Sequence, residues 1–388
     1  MIELREAAHY VSDKIDVSSL KTEEYITTDN MIPNRGGVVA CESLPQASRV
    51  TRYEPGDILV SNIRPYFKKI WFSDRISGCS NDVIVFRTND ENWNKKFLYY
   101  VLSQDSFFDF MMAGSNGTKM PRGNKKTIPE FLIPDFDIDK QICIVDILSA
   151  YDDLIENNQK QIKLLEEAAQ RLYKEWFVDL RFPGYEDVAV IDGVPEGWRY
   201  KRVEEFGEVI TGKTPSTSKT EYYGGNIPFV TIPDMHGSVF PLVTEKTLTK
   251  VGADTQKNKY LPLNSVIVSC IATVGLVNIA VEACQTNQQI NSVILQNDNE
   301  LYFFYESMKI IKALLDGVGS NGATMTNVNK TKFSSIKVLY PVEDLVKRYN
   351  ELCKPIFDKI LALSKSIIKA EQARDRLLPK LMSGEIKV

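Results

Sequence analysis

The chain has little of what most enzymes use. Among its 388 residues are two histidines, His9 and His236, which leave little for catalysis built on imidazole. Its six cysteines, Cys41, Cys79, Cys143, Cys270, Cys284 and Cys353, include no CxxC pair. That argues against both a disulfide framework and a structural zinc module, so a reducing, cytoplasmic compartment is expected. No apolar run approaches the ~18–20 residues that span a bilayer, and Met1 to Tyr10 do not have the pattern of a signal peptide, so no membrane partner is expected. There is no Walker A string, no HExxH and no GxSxG. An Asn-Pro-Pro-aromatic string is missing too, as is the Pro-Asp followed by acid-x-Lys of many nucleases. With no catalytic constellation in a chain of this size, the sequence reads as a binding protein with no metal, catalytic residue or cofactor of its own.

Two weak matches do not change this. Gly317, Gly319 and Gly322 spell GxGxxG, but they close a helical pattern, where a dinucleotide site must open one. Asp135, Asp137 and Asp139 resemble the start of a calcium loop, but Lys140 and Asp146 stand where glycine and glutamate are needed. A carboxylate cluster at a helix start is the better reading.

What is present is an ordinary globular composition, 43% hydrophobic and 25% charged, with a net charge of −4 and room for two or three domains. The clearest internal signal is a repeat. GSNG occurs at 114–117 and again at 319–322, and Met120, Asn124 and Lys125 find Met325, Asn329 and Lys330 at the same offset of 205. Ile144, Leu148, Tyr151, Ile155, Asn158, Ile162, Leu165, Ala169, Leu172 and Trp176 form a heptad seam. The same offset gives a second seam from Tyr349 to Leu381, apolar except at Arg374. Upstream, Tyr53 to Ser61 resembles Tyr260 to Ser269, and Asn81 to Ile84 resembles Asn291 to Ile294.

The chain therefore reads as globular unit, long helix, globular unit, long helix. The boundaries are 1–137, 138–180, 181–340 and 341–388. The fold class is α+β. Short β-branched runs at Asp57–Asn62, Val83–Arg87, Ser265–Cys270 and Ser292–Gln296 predict β-rich units. Each has one amphipathic helix, near Lys95–Phe110 and Leu301–Leu315, with the GSNG loop as its left-handed stop. A last strand, near Phe131–Ile133 or Ile336–Leu339, ends at a proline. Residues 141–180 carry net −4 and residues 341–388 net +3, as suits helices that pair. Asn158 on the first seam either fixes register or faces a gap or solvent at the seam edge. Periodicity alone allows a parallel or an antiparallel pair.

Basic and polar loops then suggest a ligand. Arg64, Tyr66, Lys68 and Lys69 form one cluster, and Lys119, Arg122, Lys125 and Lys126 another. In the second unit Lys213, Thr214, Ser216 and Lys219 lie in one loop, and Lys330 and Lys332 in another. Such loops suit phosphate and base-edge contacts. The acidic total argues against strong non-specific binding of nucleic acid but is compatible with specific binding by local patches.

At this point the chain resembles a known family over essentially its whole length, the specificity subunits of type I restriction-modification systems. The resemblance rests on Ile210-Thr211-Gly212-Lys213-Thr214-Pro215-Ser216, Glu221-Tyr222-Tyr223-Gly224-Gly225-Asn226-Ile227-Pro228-Phe229, Thr286-Asn287-Gln288 and the GSNG loop. Glu175-Trp176-Phe177-Val178-Asp179-Leu180 and Leu378-Pro379-Lys380-Leu381-Met382-Ser383-Gly384 are also family-like. The first unit lacks the Gly-Lys-Thr-Pro and Tyr-Tyr-Gly-Gly strings, as expected if the two units read different DNA. The resemblance implies two target recognition domains, each reading one half of a bipartite site, on long helices that pair as an antiparallel coiled coil and act as a spacer. It implies two methyltransferase subunits as partners, which use S-adenosylmethionine on adenine N6, and restriction subunits where the system cleaves. The competing readings are a stand-alone DNA-binding regulator, a coiled-coil adaptor, and an enzyme with an unfamiliar site. Capture of a methyltransferase and sequence-selective DNA binding separate them.

Overall fold

The computed structural model describes residues 1–115, 119–310 and 327–388. The chain divides into two units, Met1–Leu154 with Ala370–Val388, and Ile155–Lys369. Both long helices, Ile138–Tyr173 and Glu343–Ser383, run through this division, so each unit contains a segment of each.

The first unit opens with β1 (Ile2–Glu3), a single helical turn at Leu4–Ala7 and β2 (Ala8–Tyr10). It continues through β3 (Lys14–Asp16), β4 (Arg49–Tyr53), β5 (Ile58–Ser61), β6 (Ile70–Phe72), β7 (Ser77–Cys79) and β8 (Val83–Thr88). After two helices, β9 (Leu132–Ile133) returns to pair with β1. The main sheet has the order β2-β8-β5-β6, all antiparallel, and a smaller sheet has the order β3-β4-β7.

Alternation along the main sheet explains the unbroken apolar runs. Ile58, Val60, Ile84 and Phe86 face one cluster, together with Phe97, Leu98 and Phe107 from the helices. Leu59, Val83 and Val85 face another, with Ile26, Met31 and Tyr53. A sheet covered on both faces needs apolar residues at every position, so no polar alternation is left in the sequence. The helical layer includes Ile144 and Leu148 of the first long helix and Leu378, Leu381 and Met382 of the second. The last residues of the chain thus complete the core begun by the first.

The second unit repeats this plan. A small hairpin, β10 (Val190–Ile191) with β11 (Val194–Pro195), precedes β12 (Arg199–Arg202), a turn at Val203–Phe206 and β13 (Gly207–Thr211). Then come β14 (Tyr223–Val230), β15 (Lys246–Leu248), β16 (Val266–Ser269), β17 (Val277–Ile279), β18 (Gln285–Thr286), β19 (Ile290–Leu295) and β20 (Lys337–Tyr340). β12 pairs with β20 as β1 does with β9, and the main sheet β13-β19-β16-β17 matches the first in order and sense. The second sheets share a centre and differ at the edge. Ile26 bridges Cys79 in parallel as Val230 of β14 pairs with Thr286 of β18, but the first unit adds β3 to β4 and the second adds β15 to β14.

The ladders correct the residue matching of the repeat. The main-sheet pairs Ile58↔Phe86 and Val266↔Val293, with Ala8↔Thr88 and Gly207↔Leu295, make Val83 equivalent to Ile290, three residues from the expected Val293. Tyr53↔Ser77 corresponds to the Leu261↔Cys284 bridge, so Leu261, and not Tyr260, stands where Tyr53 does. Gly56 and Asn264 then coincide, both left-handed, at φ 89° and 67°.

Two helical expectations also change. The segment near Lys95–Phe110 is two helices, Lys95–Leu102 and Asp105–Ala113. The break falls at Gln104, whose backbone is extended, while the Ser103 hydroxyl caps the Tyr99 carbonyl at 2.7 Å and Arg35 takes the Ser103 carbonyl. In the second unit the helix is Leu301–Lys309, and the remainder of the expected segment, with Gly317, Gly319, Gly322, Met325 and the second GSNG, lies outside the described residues. Asn116 and Gly117 of the first GSNG lie outside them too. Gly114 does not provide a left-handed stop, since its φ is −88°. At the start of the first long helix, Asp137 accepts from the Lys140 N–H at 2.8 Å, as a capping carboxylate does.

Every residue of both seams is buried or half-buried. In the second unit Asn158 Nδ2 donates to Ser366 Oγ at 3.2 Å, and Tyr349 donates to the Ala169 carbonyl at 3.2 Å. As residue numbers rise along one segment they fall along the other, so the segments run antiparallel. In the first unit Asp152 accepts from Arg374 Nη1 at 2.9 Å and from the Tyr100 hydroxyl at 2.5 Å. This is the one ion pair between the two helices among the described residues, so the opposite net charges contribute little direct contact. Asp152→Ala would leave a half-buried guanidinium with only Asp375 and a tyrosine hydroxyl with no acceptor. The expected loss is about 1–2 kcal/mol, measured as a lower urea midpoint. An unchanged midpoint would show that this seam contact is energetically idle.

Candidate nucleic-acid interface

The basic loops are organised by strand ends of the two main sheets. In the first unit the chain leaves β5 into a loop that pairs with the segment after residue 119. Ile63 bridges Arg122, and the Arg64 N–H donates to the Pro121 carbonyl at 2.8 Å. Gly123 N–H donates to the Asn62 carbonyl at 3.2 Å, and a Cβ there would stand 2.8 Å from Asn62 Oδ1, so a larger residue would have to shift the Asn62 side chain. The two basic clusters, far apart in sequence, therefore meet at one junction.

Not all their charges are free. Lys68 pairs with Asp105 at 2.8 Å, and Arg35 shares the same carboxylate. The Lys68 ammonium, with the Arg35 guanidinium, holds the Asp105 carboxyl below its usual range. Lys69 donates to the Thr28 carbonyl at 2.6 Å, and burial, with Arg64 nearby, pushes its ammonium down. Arg122 pairs with Asp82 at 3.3 Å and Lys125 donates to the Asn81 carbonyl at 3.2 Å. Lys119 and Lys126 are exposed and make no ion pair among the described residues; Arg64, half-buried, makes none either. Tyr66 is 47% exposed, its ring 4.7 Å from that of Phe67.

In the second unit Ile271 bridges Asn327 at the corresponding place, and the Val328 N–H donates to the Cys270 carbonyl at 2.8 Å. Lys330 and Lys332 follow on a short helix, Lys330–Ser334, capped by Asn329. The Gly212-Lys213-Thr214 loop lies against Thr286-Asn287-Gln288, which explains why the two strings occur together. A Cβ on Gly212 would stand 2.2 Å from the Asn287 carbonyl. Lys213 N–H donates to the Thr286 carbonyl at 2.9 Å, and the Thr214 hydroxyl to Gln288 Oε1 at 2.6 Å. Ser216 bonds Ser218 at 2.8 Å. Lys219 donates to the Tyr222 hydroxyl at 3.1 Å, which raises its ammonium pKa. Lys213, Lys330 and Lys332 are exposed.

Sequence reasoning missed Arg35, which sits with Asn34 in a left-handed turn that pairs with Phe67 and Lys68. The Pro33-Asn34-Arg35-Gly36-Gly37 run was its signal. It also missed Gln288 as a polar group oriented by Thr214. Among the described residues no group of His, Cys, Asp and Glu is arranged to hold a metal, and no helix is long and apolar enough to cross a membrane. The cysteines Cys79, Cys270, Cys284 and Cys353 are buried, and burial pushes their thiols up, the opposite of an activated nucleophile.

Comparison with known proteins agrees with this organisation. The type I restriction modification DNA specificity domain matches twice, over residues 47–167 and 195–367. The type I restriction enzyme HindI specificity subunit of Haemophilus influenzae is 30% identical over 99% of this chain and 98% of its own. The MjaIX specificity subunit of Methanocaldococcus jannaschii is 26% identical over 76% of this chain and 69% of its own. The crystal structure of a type I restriction-modification S subunit from M. genitalium shares the fold, with a TM-score of 0.59 at 16% identity over 98% of this chain and 95% of that one. With the domain matched twice and a relative aligned from end to end, the chain belongs to the family of type I restriction-modification specificity subunits.

Proposed function

We propose that this chain is the non-catalytic, DNA-reading subunit of a type I restriction-modification complex. Each unit reads one half of a bipartite, asymmetric site in double-stranded DNA. Two methyltransferase subunits carry S-adenosylmethionine and modify adenine N6, and restriction subunits join where the system cleaves. Such a role implies a cytoplasmic location. The observation that carries the reading is one frame built twice, with a matching main sheet and junction and a second sheet extended by a different strand in each unit. Two different readers on one frame favour two different half-sites, where an identical dimer would demand a palindrome.

The exposed lysines Lys119, Lys126, Lys213, Lys330 and Lys332, which make no ion pair among the described residues, are assigned to phosphates, because a phosphate contact needs accessible positive charge. Lys68, Lys69, Arg122, Lys125 and Lys219 are weaker candidates, since each must give up a partner first. Thr214 and Ser216 are assigned to the second half-site together with Gln288, and Tyr66 to the first. The paired long helices are assigned the role of spacer, in the antiparallel coiled-coil arrangement of the family.

Three outcomes are expected. Sequencing of modified adenines in a host carrying this gene with its methyltransferase should give two unlike half-sites around an unread gap; a continuous or palindromic site would refute the reading. Lys126→Ala and Lys213→Ala should each weaken binding across all sequences and lower the slope of log affinity against log salt by about one phosphate's worth. Unchanged slopes in both would remove these loops from the interface. Finally, four residues inserted into each long helix beside the Asn158–Ser366 contact add about one turn, or ~6 Å. The gap should then grow by about two base pairs, at ~3.4 Å per pair, with both half-sites unchanged. An active variant with the original gap would show that the helices are not a ruler.

A further inference from the structure

One side chain at the first junction differs from the phosphate-directed lysines. Arg64 has a left-handed backbone, φ 49°, and precedes the short 3₁₀ turn Pro65–Phe67. Its N–H is tied to the Pro121 carbonyl, so the root of the side chain is held by a second segment. Its Nε is buried and has no acceptor, while Lys68 and Arg122 beside it are held by carboxylates. A buried guanidinium N–H without an acceptor is a cost that a bound ligand can remove.

The second unit contains the control. Ala272 follows the Ile271↔Asn327 bridge as Arg64 follows Ile63↔Arg122, and it too is left-handed, φ 65°. Glycine adopts this backbone freely and other residues rarely, yet neither unit uses glycine here. The backbone conformation is thus a property of the shared frame. Only the side chain differs, a guanidinium in one unit and a methyl in the other. In a protein that uses one frame for two readings, a fixed backbone with a changed side chain marks a position that distinguishes them.

We infer that Arg64 reads a guanine base in the first half-site, and that the second unit has no counterpart to this contact. The inference rests on the DNA-reading role proposed above and adds a base-reading residue to it. The guanidinium offers a planar fork of donors that matches the O6 and N7 acceptors of guanine in the major groove. A phosphate needs only charge, which the flexible lysines around the junction supply. A donor group on a fixed backbone root supplies direction instead.

The test uses the assembled complex with its methyltransferase subunits and a plasmid library in which each base pair of the first half-site is varied in turn. Arg64→Ala places at this position the residue that the second unit already has there, so the backbone tolerates it. Arg64→Gln keeps a polar side chain and serves as the second variant. Both should lower the preference for one G·C pair by roughly tenfold to a hundredfold. The other pairs of the first half-site and the whole second half-site should keep their preferences. Lys126→Ala is the comparator and should weaken all sequences alike. If the Arg64 variants behave like Lys126→Ala, with every base preference intact, Arg64 is a phosphate contact and the inference is wrong. Loss of preference at an A·T pair would overturn the guanine assignment. A wild-type complex with no bipartite site would overturn the DNA-reading role itself, an outcome distinct from either.

Discussion

The rest of the structure depends on a sheet that is apolar on both faces. Ile58 and Val60 point one way and Leu59 the other, all of them buried. Val266 and Val268 with Ile267 repeat this in the second unit. Neither face can be left to water, because each large aliphatic side chain is worth about 1.5–3 kcal/mol on burial. One cover comes from helices, including segments of both long ones. The other comes from the second sheet and its loops. Both covers recur between units, and the second sheet differs in which strand extends it, β3 on β4 or β15 on β14. The apolar demand can be met in more than one way on that face, which leaves it free to diverge.

This division of labour suits recognition. The main sheet and the helix behind it fix where a loop begins and ends. The loops at the strand ends then carry variation without disturbing the core. The two junctions show this directly, since Ile63↔Arg122 and Ile271↔Asn327 set the same backbone beneath Arg64 and Ala272. Gly212 serves the same end, letting one backbone approach another where any Cβ would collide. Lys126 and Lys213 on these loops are exposed, so a net charge of −4 is compatible with local positive patches.

The long helices join the beginning of the chain to its end. Leu378, Leu381 and Met382 lie in the same core as Leu4 and Ile58, so the first unit is complete only when the last helix is in place. The polar seam residues Asn158 and Arg374 find partners on the facing segment, Ser366 and Asp152. A buried polar residue that meets its partner in one register disfavours others, since a shift leaves it unsatisfied. The apolar seam supplies attraction, and these two contacts select the alignment.

The sequence by itself determined whatever has a local period or a local repeat. Heptads announced both long helices, because side chains at a spacing of three and four share a face whatever lies opposite. β-branched runs located β5, β8, β16 and β19 within about two residues, two strands of each main sheet, and left β2, β6, β13 and β17 unmarked. The absence of catalytic strings and the doubled layout pointed to recognition. Only the tertiary structure decided what depends on partners distant in the chain. The repeat was misaligned at Tyr53 and Val83 because similar letters recur nearby, and only cross-strand hydrogen bonds select among them. The break at Gln104 depends on Arg35, nearly seventy residues away, taking the Ser103 carbonyl. Of the basic residues, sequence could name the clusters but not which charges are already paired. Pairing is a matter of a few ångströms between segments, and no local period encodes it.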